Sequence, residues 1–322
     1  LIFPETPDLN LSFPDLNLSF PDLNLLSSDL SLLSARAFDA ARRNLGWTVT
    51  FVRPENTLAL SLTGAKCLQA CAHCNSRYLG SMIDIDDLLS SPGDYIDKYK
   101  SILVSGGFME DMRIPLYENR DKIKKLKKMG FELNFHAQRL DDKDVPVLLE
   151  YASAVSVDYI ASEDVIKRVY KSRTFRPGET LKNIFFLRER VKVVVHITLG
   201  IDRGVINHEY RALDDLKDMD YLVINILRAG KNTEFQNVAG PDLKSIFAFF
   251  CFARLGFPFI PLCLGCMRPG GKRRLKIDNL ALMAGFDTIV NPGVKSMEFA
   301  LLKGLDPLFF DQCCALGAGA FK

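Results

Sequence analysis

The sequence carries no excess of either charge. Its 41 Lys and Arg against 39 Asp and Glu leave a formal net charge of +2. That excludes the broad electrostatic attraction on which nucleic-acid or anionic-membrane partners rely. It also lacks an unbroken apolar run of membrane-spanning length. The most apolar stretch, SIFAFFCFARLGFPFIPLCLGC, is interrupted by Arg254, Gly256 and two prolines, so a buried helix followed by a buried strand describes it better than a span. No basic start with an apolar run and a small-residue cleavage site is present, and no secretory signal is expected. Scattered cysteines are missing too. The eight cysteines, at 67, 71, 74, 251, 263, 266, 313 and 314, are clustered. This argues against a disulfide framework and for a reducing, cytoplasmic setting, where clustered thiols bind metal or do redox work.

What is present is the balance of a globular protein, 48% hydrophobic and 25% charged over 322 residues. The motif LSFPDLN recurs at Leu11 and Leu18, and Pro14 and Pro21 within it argue against a helical repeat. Residues 1–33 therefore read as a low-complexity, disordered extension. A helix is expected from Arg36, closed by Gly46. The lysine-rich run Lys122–Lys128 reads as a solvated helix face.

Beyond the first helix, runs rich in β-branched and apolar residues occur at Thr57–Leu62, Ser101–Ser105, Phe131–Phe135, Val155–Ile160, Lys192–Leu199, Tyr221–Leu227, Phe257–Leu264 and Thr288–Asn291. Helical patterns separate them. Such alternation implies an α/β fold with a parallel sheet. Eight units in about 250 residues is the size of a (β/α)8 TIM-type barrel, with an open doubly wound sheet as the alternative. The barrel is expected over residues 34–303, followed by a tail at 304–322 that carries a cysteine pair. In a barrel, chemistry belongs at the C-terminal ends of strands. The chemically suggestive stretches follow or end the strand runs: the first cysteine cluster, SGG, NFHAQR, SVDYI, HITLGIDRG, NILRAGKNT and CLGCMRPGG.

The strongest signal is KCLQACAHCN, in which Cys67, Cys71 and Cys74 are spaced C-x3-C-x2-C. Three thiolates can hold three irons of a [4Fe–4S] cube and leave the fourth open. A structural zinc site would want four closed ligands, for which His73 is the nearest addition.

This loop, with the ring of His73 just before its last cysteine, resembles that of the radical S-adenosylmethionine (SAM) enzymes. The resemblance runs from about Asn56 to Pro292 in motif order. It implies a [4Fe–4S] cluster on Cys67, Cys71 and Cys74, whose open iron binds SAM, and cleavage of SAM to a 5′-deoxyadenosyl radical that abstracts hydrogen from substrate. Ser105, Gly106 and Gly107 resemble the family's glycine motif, whose backbone meets the SAM amino group, although Phe108 stands where an acidic residue is usual. Ile197 and Gly200 match the segment flanking adenine. Ser156 and Asp158 match a biotin-synthase-like segment facing ribose and substrate, and Asn225 and Arg228 match one directed at substrate.

Cys263 and Cys266, expected at the barrel mouth, join Cys313 and Cys314 as candidate ligands of a second [4Fe–4S] cluster. Cys251 reads as core. The combination of LGCMRP and CCAL is most similar to the archaeal-type two-subunit lipoyl synthases, while the cysteine motif and Arg-Ser-Ser-Tyr run of the bacterial type are missing. The resemblance implies sulfur insertion into a protein-bound octanoyl chain. It further implies an electron donor of ferredoxin or flavodoxin type, a homologous second subunit and a lipoyl-domain protein as substrate. The alternatives are a single-cluster radical SAM mutase or methylase, like methylornithine synthase or hydrogenase-cofactor enzymes, and a non-catalytic cluster-holding subunit.

Overall fold

The computed structural model describes residues 27–109 and 112–317. Its eleven strands are β1 (Thr48–Val52), β2 (Thr57–Ser61), β3 (Ile83–Asp84), β4 (Ser101–Ser105), β5 (Glu132–Ala137), β6 (Ala154–Asp158), β7 (Val193–Leu199), β8 (Leu222–Ile226), β9 (Leu262–Leu264), β10 (Thr288–Val290) and β11 (Asp306–Phe310). They form one sheet in the order β11-β1-β10-β9-β8-β7-β6-β5-β4-β2-β3, with every neighbouring pair parallel. Helices run between the strands on one side, as parallel crossovers require. The sheet curls so that the end of β11 comes round to the start of β2. Asn56 N, just before β2, donates to Asp311 O, just after β11, at 2.9 Å.

The expected α/β barrel is present, and its eight expected strands lie side by side from β2 to β10, with β3 outside them. The sheet has three more strands than eight. β1 hides between the helix-ending Gly46 and Pro54. β11 contains Pro307, which an edge strand tolerates because its outer N–H needs no partner. The segment read as a tail thus belongs to the sheet, and a short helix at Cys314–Gly317 follows it.

The first helix spans Ser27–Leu45, starting inside the segment read as low complexity. The reason is burial: Leu33 and Ala37 pack into the main core. The LSFPDLN repeats lie outside the described residues. This helix covers the apolar helix Leu243–Gly256, which is buried along most of its length because the sheet lies beneath it and the first helix above. Arg254 within it is fully buried and donates to Phe257 O and Ile260 O, each at 2.9 Å, and to Asp287. Asp287 also pairs with Arg42 of the first helix at 3.2 Å. The helix Arg120–Lys128 buries Ile123 and Leu126 and leaves its lysines largely outward, the solvated face expected. Among the described residues, no helix is long and apolar enough to cross a membrane.

Strand side chains alternate between faces. In β5, Leu133 and Phe135 enter the layer under the helices, while Asn134 and His136 face the lumen. The outward set builds the core. The inward set is mixed: Ser105, Asn134, His136, Ser156, Asp158 and His196 are polar, while Val52, Val194, Val223 and Val290 pack with Cys263 and Cys314 in a second cluster.

Candidate active site

The loop after β2 carries Cys67, Cys71 and Cys74, and it is sewn to three neighbouring segments. Leu68 N donates to Phe108 O at 2.8 Å, and Phe108 N donates to Cys67 Sγ at 3.3 Å. Gly107 N donates to Thr63 Oγ1 at 2.7 Å, and Thr63 Oγ1 donates to Lys66 O at 2.8 Å. Ala72 N reaches Val169 O at 2.7 Å, and Phe235 N reaches Ala72 O at 3.2 Å. The loop then turns through Asn75 and Ser76, at φ 43° and 62°, a left-handed region that Asn and Ser side chains tolerate better than bulky ones.

Cys71 is buried, and Cys67 and Cys74 are half-buried. The Cys71 and Cys74 thiols interact directly. That hydrogen bond holds Cys74 low, at about 4, against the desolvation that raises it, with His73 lowering it further. Cys71 is raised in turn, first by its bond to Cys74, then by burial and by the nearby Cys67. The His73 ring lies 5.1 Å from that of Tyr170. Among the described residues, no three ligand atoms of this loop converge within the 4.8 Å that a single ion would gather. Three thiolates without a fourth suit a cubane that keeps one iron open better than a structural zinc site, which wants four protein ligands.

The two glycines of the SGG motif differ. A methyl group on Gly107 would come within 1.9 Å of Lys66 O and 2.7 Å of Cys67 Cα. One on Gly106 would meet nothing nearer than 3.4 Å. Gly107 is therefore demanded by the cysteine loop itself, before any ligand is considered.

Below the loop, the inward residues of β4 to β9 line the lumen. Asp158 is the hub. His136 Nε2 lies 3.1 Å from its Oδ2, His196 Nδ1 lies 3.4 Å from its Oδ1, and Gln138 Nε2 donates to its backbone O at 2.8 Å. Burial would raise the Asp158 carboxyl, but the two imidazoles hold it well below the usual range. His136 Nδ1 faces Ser105 Oγ at 3.4 Å. Ser156 Oγ donates to Asn134 Oδ1 at 3.0 Å. Three buried polar atoms, His196 Nε2, Gln138 Oε1 and Asn225 Oδ1, have no protein partner. Such atoms carry a desolvation cost unless something else meets them.

Several expected residues are brought here: Ser105, Ser156, Asp158 and Asn225. Others are not. Ile197 lies in the main core with Val195 and Leu199, because alternation gives the lumen side of β7 to His196 and Thr198. Gly200 is a rim turn at φ +71° whose N–H donates to Glu209 Oε1 at 2.7 Å, and any Cβ would strike Pro241. Arg228 is exposed on the loop after β8, close enough to Tyr78 to influence it. The two histidines were not singled out from the sequence. The signal was a His on the inward register of an apolar strand, in NFHA and in VHIT.

The second cysteine set is drawn together, with Cys263 below the mouth where it was expected and Cys266 past the end of its strand. Cys263 lies within β9, fully buried. After β11 the chain turns under the barrel, and Cys313 N donates to Thr57 Oγ1 at 2.8 Å at the start of β2. Asn134 Nδ2 donates to Cys313 Sγ at 3.4 Å. Cys314 interacts with Cys263 and with Cys313, and the first contact raises its thiol. Cys266 follows β9 and is accessible, yet it lies near enough to Cys313 and Cys314 to interact with both. Cys263, Cys313 and Cys314 thus meet from two distant chain segments, at the end of the lumen away from the Cys67 loop, while Cys266, just past β9, also lies near enough to Tyr78 to influence it. Arg268 does not join the set. It is fully buried, pairs with Asp278 at 2.8 Å and donates to Gly265 O at 2.6 Å.

No protein-family model and no curated protein matches the sequence at a significant level. Solved structures do match the fold. The FeFe-hydrogenase maturase HydG from Carboxydothermus hydrogenoformans superposes with a TM-score of 0.66 at 14% identity, over 92% of this chain and 76% of that one. Methylornithine synthase (PylB) superposes with a TM-score of 0.60 at 13% identity, over 88% of this chain and 90% of that one. At such identities the likeness is one of fold.

Proposed function

We propose that this chain is a radical SAM enzyme. The observation that carries the reading is the Cys67–Cys71–Cys74 loop, at the C-terminal end of β2, pinned against Gly107 and Phe108 above a polar lumen. Cys67, Cys71 and Cys74 would hold a [4Fe–4S] cluster. With SAM bound, that cluster would supply the electron that cleaves SAM to a 5′-deoxyadenosyl radical, which abstracts hydrogen from an unactivated carbon. The chain's own part is to hold the loop and shape the space. Phe108 N donates to the Cys67 sulfur at 3.3 Å and so fixes where that sulfur stands. The barrel wall limits access of water to the lumen, as reactive intermediates require. Ser105, Asn225 and Gly106 offer polar or close-approach contacts to SAM or substrate, and Arg228 stands at the rim for an anionic group.

The finer reading is sulfur insertion, as in lipoyl synthases, into an octanoyl chain carried on a lipoyl-domain protein. The gathering of Cys263, Cys266, Cys313 and Cys314 supports it, because a second cluster there would be a sulfur source facing the same lumen. An electron donor of ferredoxin or flavodoxin type and a homologous second subunit belong to this reading. Anaerobic reconstitution should then give about eight irons, two four-iron cubes. The Cys263→Ala/Cys266→Ala variant should fall to about four. Turnover with an octanoylated lipoyl-domain peptide should add sulfur mass. Four irons in both proteins would leave a single-cluster mutase or methylase as the reading.

A further inference from the structure

We propose that His136, Asp158 and His196 form a mononuclear site for a first-row divalent cation in the barrel lumen, separate from both cysteine sets. Among the described residues, this is the one group of three or more such side chains whose ligand atoms all lie within 4.8 Å of one another. The three come from consecutive neighbours β5, β6 and β7, so the sheet fixes their spacing. Two imidazoles and one carboxylate are a donor set that suits iron, zinc or manganese.

The distances carry the argument. Two donors each about 2.1 Å from one ion stand about 3.0 Å apart at a right angle and about 3.4 Å apart at the tetrahedral angle. The carboxylate–imidazole separations here are 3.1 and 3.4 Å. Each imidazole nitrogen faces its own oxygen of Asp158, and with all three ligand atoms within 4.8 Å an ion can sit between the two rings against the carboxylate. The ring nitrogen of His136 that points away from Asp158 faces Ser105 Oγ at 3.4 Å, the kind of outer partner that orients a ligating histidine. Gln138 holds the Asp158 backbone from the other side.

The site is also open on the correct side. All three side chains keep some exposure, 27% for His136 and Asp158 and 19% for His196, and they face the lumen. Three protein ligands leave coordination positions for water or for an oxygen or nitrogen donor of a lumen ligand. His196 Nε2, buried and without a protein partner, is a further polar contact for that ligand. On this assignment Asp158 is a metal ligand and not a ribose contact.

The inference does not depend on the radical reading, and its test is separate from SAM cleavage. The reconstituted full-length protein, with its clusters oxidised and EPR-silent, is titrated anaerobically with Mn2+. Mn2+ is chosen because thiolates hold it poorly, whereas imidazole and carboxylate accept it. The expected result is one saturable Mn2+ per chain, with spin-echo modulation from imidazole nitrogen. His136→Gln and His196→Gln should each weaken binding by more than the roughly tenfold to hundredfold that loss of an outer partner costs. Each should also remove part of the nitrogen modulation. The nitrogen signature is read on the wild-type protein, so it stands even where a variant fails to fold. No saturable binding up to millimolar Mn2+, bound Mn2+ without nitrogen modulation, or unchanged affinity in the folded double variant would overturn the proposal.

Discussion

Gly107→Ala tests how the cysteine loop is held. The new methyl group would sit 1.9 Å from Lys66 O and 2.7 Å from both Cys67 Cα and Cys67 Cβ. The first two are backbone atoms, so no side-chain rotation relieves the contact. To restore ordinary separation from Lys66 O, the loop must retreat by about 1.5 Å, an overpacking strain of about 1–3 kcal/mol. Retreat also strains the Leu68–Phe108 and Gly107–Thr63 hydrogen bonds and moves Cys67 away from Cys71 and Cys74. At an m-value of about 3 kcal/mol/M in urea, the unfolding midpoint should fall by about 0.3–1 M. Iron retained after anaerobic reconstitution should drop with it, because three thiolates must meet one cluster. Gly106→Ala is the control, since its methyl group meets nothing inside 3.4 Å, and it should keep the iron of the wild type. If Gly107→Ala kept both the iron and the midpoint of the wild type, the loop would not be held as described.

Other outcomes follow from the same contacts. Asp278→Ala leaves the fully buried Arg268 without its carboxylate and should cost about 3–5 kcal/mol. Arg268→Met added to it should recover part of that loss, and a cost below about 1 kcal/mol in denaturant titration would contradict the pairing. Burial pushes the Glu209 carboxyl up to about 7 from an ordinary 4.5. Between those pH values the unfolded chain gives up the proton first, so Glu209 makes the fold less stable as pH rises, by about 3 kcal/mol in full. The stability of the wild type relative to Glu209→Gln should therefore decline from pH 4.5 to pH 7. A constant difference would place the carboxyl in an ordinary environment. Asn134→Ala removes the amide that donates to Cys313 and the oxygen that accepts from Ser156. On the two-cluster proposal it should lower the total iron while leaving that of the Cys67 loop, and equal loss from both would point to general unfolding.

Much of the barrel was readable because its strands are apolar runs bounded by clear helix signals. The ends were harder. β11 carries Pro307 and three exposed or half-exposed apolar residues, and only its place at the sheet edge makes Pro acceptable. The Ser27–Leu45 helix begins among serines and leucines that look repetitive in sequence, yet Leu33 finds the core. At the site, the Cys67 loop was legible because its spacing is local. The second cysteine set was legible as a group, but the depth of Cys263 was not, since only the turn of the chain under the barrel brings Cys313 to Thr57 and Cys314 to Cys263. Ile197 was assigned to the wrong face by one residue, and alternation then sends a side chain to the opposite side of the sheet. The His136–Asp158–His196 group joins three strands, and no single stretch of sequence contains it.

The most direct test is SAM cleavage by the reconstituted protein under strong reductant, read as 5′-deoxyadenosine by chromatography and mass, beside the Cys67→Ala, Cys71→Ala and Cys74→Ala variants. The account predicts 5′-deoxyadenosine from the wild type and none above background from any of the three. No product from a wild-type protein that holds its iron and binds SAM, or equal product from a cysteine variant, would contradict it.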